Sequence, residues 1–481
     1  MSTRRDSIWK SIDWITILFY ALMVIAGWFT ICGASYEWDS MSLFDVSGRP
    51  GSQLLWIGLS VVIIFVIMML DNDFFDVFGY LIYFVIILLL IATIFMAPEI
   101  KGSRSWLVLG PVRLQPAEFA KFATALAVSK YMSQYGFRLT TFKSYTTALF
   151  LIFLPMVCIL LQKETGSALV YLAFFLVLYR EGMPGNILLI GCCAVLFFVT
   201  NMKFLDVIIG ITPLGELIVT LMILAITTIL TIRGSKSKKT LYWISTIIGV
   251  AFLIAYFVSF LMPVNFFWIA LGLTLALCCY LFFVAIKSWM MRYALVAFFA
   301  LASLAFMFSI EYVFNNILEP HQQVRIKVSL GLEDDPTGAG YNVNQSKIAI
   351  GSGGFTGKGF LNGTQTKLKY VPEQDTDFIF CTIGEEQGFI GSTFVILLFA
   401  SLIIRLIQLS ERQQTAFARI YGYSVASIFL FHLVINIGMV LGLTPVIGIP
   451  LPFFSYGGSS LWGFTILLFI FLRLDSSRRE H

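Results

Sequence analysis

The residues able to do chemistry in this 481-residue chain are few and stand in four polar stretches. The longest runs from Glu319 to Gly391 and contains Asp335-Pro336-Thr337-Gly338-Ala339-Gly340-Tyr341. There a carboxylate precedes a proline that fixes φ and glycines that tolerate positive φ, so a tight loop can hold one acid still. By residue type alone Asp335 is first a turn aspartate and only second a general base, because Asp before Pro is common in turns. The same stretch carries Gln345, Ser346 and two cations, Arg325 and Lys358. Either cation suits diphosphate oxygens or the anionic headgroups of membrane lipids. Glycine is abundant around Lys358, yet the Lys-Ser/Thr ending of a nucleotide-binding P-loop is missing. Glu385 and Glu386, beside Gly384, open an apolar run and are placed to cap a helix or line a cavity.

The second stretch, Arg113-Leu114-Gln115-Pro116-Ala117-Glu118-Phe119-Ala120-Lys121, sets Glu118 and Lys121 three residues apart and so on one helical face. Inside an apolar span such a pair either lines a cavity, the usual reason for charge at membrane depth, or neutralises itself near the interface with Lys121 snorkelling outward. The third, Gln162-Lys163-Glu164-Thr165-Gly166, reads as a turn on the outer face. The fourth runs from Gly442 to Ser460, where Pro445, Pro450 and Pro452 interrupt any continuous helix. A re-entrant or extended segment is predicted there, tolerated at membrane depth only if buried or facing water. Its amides and the hydroxyls of Ser455 and Ser459 suit a phosphate or sugar as well as they suit close helix packing.

Membrane scaffold must position all four. Of the residues 58% are hydrophobic and 12% charged, against about 25% charged in an ordinary soluble domain, and the mean hydropathy is +0.88. At roughly 20 apolar residues per span, the chain accommodates about fourteen helices. This predicts an all-α integral membrane protein, a single polytopic bundle over 1–481 with a large extracytoplasmic loop at 313–377. With the N-terminus inside, Lys130, Arg138 and Lys143, then Arg180, Arg233 to Lys239, Lys287 and Arg292, Arg405 and Arg412, and finally Arg473, Arg478 and Arg479 all fall on the cytoplasmic side. Both termini are then cytoplasmic and the loop faces outward. The net charge of +5 fits this anchoring, and no basic tract offers itself to nucleic acid. The seven cysteines lie almost entirely in apolar runs and read as small core residues, and the three histidines give no zinc-site spacing. The first apolar run lacks a small-residue cleavage site and is expected to stay as a span.

The outer loop resembles, almost residue for residue, that of the SEDS family (shape, elongation, division and sporulation), which are polytopic peptidoglycan glycosyltransferases. Pro452-Phe453-Phe454-Ser455-Tyr456-Gly457-Gly458-Ser459-Ser460 resembles the family's C-terminal signature. Gly363-Thr364-Gln365 with Asn436-Ile437-Gly438-Met439 and Leu451-Pro452-Phe453 is closer to the rod-shape branch than to the division branch. The resemblance implies an enzyme of the bacterial cytoplasmic (inner) membrane that polymerises lipid II into glycan strands for elongation and cell shape, inverting the donor anomeric centre. It implies Asp335 as catalytic base, a cavity lined by the charges of the Arg113 to Lys121 segment, a divalent cation (Mg or Mn) sharing the diphosphate, and a class B penicillin-binding protein as crosslinking partner. Such chemistry is consistent with one carboxylate plus cations, since a diphosphate leaves without the second acid a glycosidase needs. Substrate contacts are expected from Arg113, Glu118, Lys121, Arg325, Gln345, Ser346, Lys358, Ser455 and Ser459.

Two places depart from the family pattern. Lys163 and Glu164 stand where the family has Pro and Asp, which leaves the role of Glu164 open. Residues 202–289 add apolar sequence worth roughly four helix-lengths, an even number that keeps the loop outside, and they read as lipid-facing or partner-facing packing. A flippase or transporter for a lipid-linked cell-wall precursor would use the same intramembrane charges and broken helices, although no internal duplication is visible. A scaffold for other wall proteins would leave the loop's dense motif without a role.

Overall fold

The computed structural model describes residues 11–35, 44–100, 102–110, 112–139, 141–205, 207–234, 238–318, 320–332 and 339–478. Apolar runs become helices because a backbone in hydrocarbon must satisfy its own polar groups. The chain opens with α1 (Trp14–Ser35), α2 (Arg49–Met69) and α3 (Asn72–Met96). An antiparallel hairpin, β1 (Leu107–Leu109) and β2 (Val112–Leu114), turns at Gly110 with φ +65° and delivers the chain to α4 (Pro116–Met132). Pro116 occupies the first helical position, where its missing N–H costs nothing. Next come α5 (Phe142–Leu161) and a broken helix made of α6 (Thr165–Leu169), a 3-10 turn (Val170–Ala173) and α7 (Phe174–Arg180).

The helix α8 (Gly185–Lys203) leads to a short hairpin, β3 (Ile208–Ile209) and β4 (Thr212–Pro213), and then α9 (Leu214–Gly234), α10 (Lys238–Val258), α11 (Phe266–Ser288) and α12 (Met291–Asn316). Four helices therefore separate α8 from the polar stretch, but only α9 to α11 fall within 202–289, because the hairpin and the connections take up the remaining residues. The polar stretch is itself partly helical: α13 (Pro320–Ser329), α14 (Ala339–Ser352) and α15 (Thr364–Lys367) precede α16 (Ile379–Glu411), α17 (Ala416–Val440) and α18 (Gly458–Ser476). Between α17 and α18 the proline-bearing segment has no helix, as its composition requires.

Among the described residues eleven helices are long and apolar enough to cross a membrane. The chain is a multi-pass membrane protein. The apolar segments Thr165–Arg180 and Ser245–Val258 are shorter, and α4 is 17 residues long with charges inside it. Length and composition thus support eleven spans directly.

Packing groups the chain into two compact units, Met1–Pro184 with Pro336–His481, and Gly185–Asp335. In the first, α17 and α18 form the centre: 72% and 78% of their most apolar windows are buried, against 22–44% for the other spans. Around them pack α2, α4 and α16, and α1 lies on α16. Phe429, Phe453 and Phe464 meet at ring separations of 5.5–6.0 Å, and Tyr20 of α1 meets Phe453 edge-on at 5.1 Å. In the second unit α9, α11 and α12 pack with α8 around Phe197, Ile223, Leu281 and Ala297.

Candidate active site

The charged pair of α4 is not at a surface. Glu118 and Lys121 are each 2% exposed, and Lys121 Nζ donates to Glu118 Oε2 at 2.7 Å. Burial inside the protein excludes a pair on its surface with Lys121 snorkelling outward. Lys121 Nζ also lies 3.2 Å from His432 Nε2 of α17 and 4.3 Å from the ring centroid of Phe464 of α18. The His432 and Phe464 rings meet edge-on at 4.8 Å. The opposite ring nitrogen, His432 Nδ1, is 3.0 Å from the carbonyl of Pro450. Gly463 allows α18 to lie against α4, since a Cβ there would sit 3.0 Å from Glu118 O.

Two seams hold this centre in register. Ser459 Oγ donates to Arg113 O at 3.0 Å and accepts from Gln115 N at 3.2 Å, joining the hairpin to the start of α18. Gln115 Nε2 in turn donates to Glu164 Oε1, which also accepts from Ser167 Oγ at 2.8 Å. Glu164 thus belongs to the outskirts of the α4 group and is more than a turn residue. The second seam is the proline-bearing segment, whose carbonyls have no helical partners and must be satisfied otherwise. Asn436 Nδ2 donates to Asp377 O at 2.9 Å and Ile449 O at 2.7 Å, while Ser455 Oγ donates to Thr376 O at 2.6 Å and accepts from Leu451 N at 2.8 Å. Phe453 adopts φ +66°, a conformation that an L side chain holds only when its surroundings impose it, and the aromatic cluster does so here.

The glycine-rich part of the outer loop is fastened to α16. Glu385 is fully buried and accepts from Gln365 N and Thr366 N, both at 2.9 Å, and from Lys358 Nζ at 2.7 Å. Lys358 Nζ bonds Thr364 Oγ1 as well, at 2.7 Å. Glu386 Oε1 accepts from Leu361 N at 3.2 Å. Two residues on, Gly388 takes φ +66° and ψ −158° inside α16, and this kink receives the loop: Phe389 N donates to Gly354 O at 3.0 Å and Ile390 N to Phe355 O at 3.2 Å.

The sequence-predicted residues are therefore distributed unequally. Glu118, Lys121 and Ser459 share one neighbourhood with the backbone of Arg113, whose side chain is exposed. Ser455 lies in the adjoining segment. Ser346 is buried and donates to Val440 O at 3.0 Å, which commits its hydroxyl to packing α14 against α17, and Gln345 beside it is half-buried. Lys358 is held by Glu385 in the clamp. Arg325 lies on α13, and Asp335 lies outside the described residues. Reading by residue type missed His432 and Asn436. Their signal was a polar pair four apart in an otherwise apolar run, hence one polar ridge on α17.

With that geometry in hand, comparison with known proteins is specific. The sequence pattern FTSW_RODA_SPOVE, described as cell cycle protein, matches residues 13–209 and 204–480. The chain belongs to this family. Within it, the peptidoglycan glycosyltransferase RodA of Treponema pallidum (strain Nichols) is 31% identical over 414 residues, 85% of this chain and 86% of its own length. The peptidoglycan glycosyltransferase MrdB of Escherichia coli (strain K12) is 29% identical over 406 residues, 84% of this chain and 80% of its own. Among solved structures, a chain from a peptidoglycan synthase complex that coordinates polymerization and crosslinking superposes with a TM-score of 0.64 at 22% identity, over 98% of this chain and 99% of its own. At that identity the superposition establishes a shared fold.

Proposed function

We propose that this member of the family is a peptidoglycan glycosyltransferase that polymerises lipid II on the outer face of the bacterial cytoplasmic membrane. The carrying observation is the buried Glu118–Lys121 pair held against the proline-bearing signature segment, in a chain whose relatives over most of its length are named for that activity. Charge kept at such depth at this expense is usually functional. In the proposed reaction the acceptor 4-hydroxyl attacks the donor anomeric carbon from the face opposite the diphosphate. Asp335 takes the hydroxyl proton, the new glycosidic bond forms, and the bond to the lipid diphosphate breaks with inversion. Lys121, with the cations Arg113 and Arg325, is assigned to the charge that develops on the departing diphosphate, where a fixed cation contributes most. The assignment of Asp335 rests on the loop's resemblance to the family, in which it corresponds to the aspartate followed by Pro-x-Gly.

A divalent cation, which the family resemblance implies, meets no group of three or more His, Cys, Asp or Glu side chains among the described residues. The loop acids Glu333 to Asp335 lie outside the described residues, and a cation that shares the diphosphate, as the resemblance implies, stays part of the proposal. A class B penicillin-binding protein is the proposed partner, since polymer made outside the membrane needs crosslinking there, and one fold relative comes from a complex that couples the two activities.

The test compares wild type with Asp335→Asn, each purified with the partner's transpeptidase silenced and given labelled lipid II. Loss of a general base costs about 10² to 10⁴ in rate, so polymer should nearly vanish in the variant while lipid II binding persists. Equal polymer from both would remove Asp335 from the mechanism, and none from either would favour a transporter.

A further inference from the structure

Lys121 and Pro450 together dictate the state of the imidazole between them. A carbonyl oxygen only accepts, so the nitrogen facing Pro450 O at 3.0 Å, Nδ1, must carry the proton. A neutral ring then has a bare Nε2, and an ammonium, which only donates, faces it at 3.2 Å. The three N–H bonds of Lys121 have three receivers: the Glu118 carboxylate at 2.7 Å, His432 Nε2, and the face of Phe464 at 4.3 Å. His432 is 1% exposed, and among the described residues the charged group that faces it is Lys121, itself paired with Glu118. The imidazole is thus the polar link between the charge pair on α4 and the segment that carries Ser455 and leads into α18.

We propose that His432, as a neutral Nδ1–H imidazole, is a positioning residue for glycosyl transfer: it fixes where the Lys121 ammonium sits relative to the proline-bearing segment. The proposal rests on the glycosyltransferase reading for its kinetic consequence and on geometry alone for the state of the ring. In this proposal His432 acts through Lys121, which is assigned to charge that develops in the transition state. Losing the link should therefore lower kcat and leave KM nearly unchanged. A displacement on the order of 1 Å can cost about 10²-fold.

The test uses three variants at matched membrane abundance. His432→Leu should lower kcat for lipid II polymerisation by about 10- to 100-fold with KM within about twofold. His432→Gln, whose side-chain carbonyl falls near the Nε2 position, should restore most of the rate. His432→Asn, which imitates only the donor toward Pro450, should not. A wild-type rate in the Leu variant, a Gln variant as poor as Leu, or a loss confined to KM would overturn the proposal. An independent arm needs no activity. Nitrogen NMR of histidine-labelled protein, with His432→Gln identifying the signal, should show a protonated Nδ1 and a bare Nε2 that shifts in Lys121→Met. A protonated Nε2, or no response to Lys121→Met, would refute the geometry even if polymer is made. Absence of polymer in wild type would refute the glycosyltransferase reading while this arm still decides the state of the ring.

Discussion

The value of a charge depends on what it has in place of water. An exposed helical pair contributes about 0.3–0.5 kcal/mol, whereas removing one partner of a buried pair costs about 3–5 kcal/mol because the other is left stranded. Lys121→Met should accordingly lower the thermal midpoint and abolish most polymerisation, while the double variant Glu118→Gln/Lys121→Met regains part of the stability and none of the activity. Thermal unfolding in detergent beside a polymer gel checks both; a single variant indistinguishable from wild type would defeat the argument. Glu164, outside the spans, gives a case with the opposite sign. Burial raises its carboxyl above the ordinary value, outweighing the hydrogen bonds from Ser167 and Ser105, and its Oε2 has no partner among the described residues. An acid with a raised folded value favours the fold at low pH and costs it stability as pH climbs through that value. Glu164→Gln should therefore stabilise the protein, most at alkaline pH, with the gain fading below the ordinary carboxylate range. Thermal midpoints taken between about pH 4 and about pH 8 will reveal this; a pH-independent difference would contradict it.

At the scale of elements, the kink of α16 is where loop and membrane helix meet. Gly388 has φ +66°, and a Cβ there would press into the backbone of Gly357 and Phe355. Gly388→Ala should cost about 1–3 kcal/mol from the backbone conformation alone and loosen the 353–367 segment, so limited proteolysis there should accelerate; an unchanged cleavage rate would argue against the clamp. Helix placement was legible in the sequence because it follows from apolar length: the spans near 13–33, 75–97 and 415–437 emerge as α1, α3 and α17. The break between α17 and α18 was equally legible from Pro445, Pro450 and Pro452. The partners of the polar groups were not. Nothing local pairs Lys358 with Glu385, 27 residues on, or Ser459 with Arg113, 346 residues back. Both carry plausible phosphate-binding groups, and only tertiary packing reveals that Lys358 is committed to a carboxylate and the Ser459 hydroxyl to a backbone carbonyl. The start of the second unit at Gly185 follows the turn Arg180-Glu181-Gly182-Met183-Pro184, which was legible as a break between spans but carries nothing that marks it as a boundary between packing units.

For the molecule as a whole, the positive-inside pattern predicts Asn362 outside and Gln414 inside. In a background with Cys192 and Cys279, the exposed cysteines, replaced by serine, a membrane-impermeant thiol reagent should label Asn362→Cys in intact cells and reach Gln414→Cys only after lysis. The reverse pattern would invert the topology. The burial of α17 and α18 has a further consequence, for biosynthesis. The helices at the centre of the first unit leave the ribosome after the spans they pack against, and Lys121 meets His432 across 311 residues of chain. At about 5–20 residues per second, α4 waits roughly 15 to 60 s in the translocation machinery or the bilayer before its ring and its aromatic partner arrive. During that interval Glu118 is the one countercharge within the same helix, three residues away. The local pair is thus what lets a charged helix be stored in hydrocarbon until assembly, and a nascent chain stopped before α17 would present an incompletely satisfied ammonium for membrane quality control to recognise.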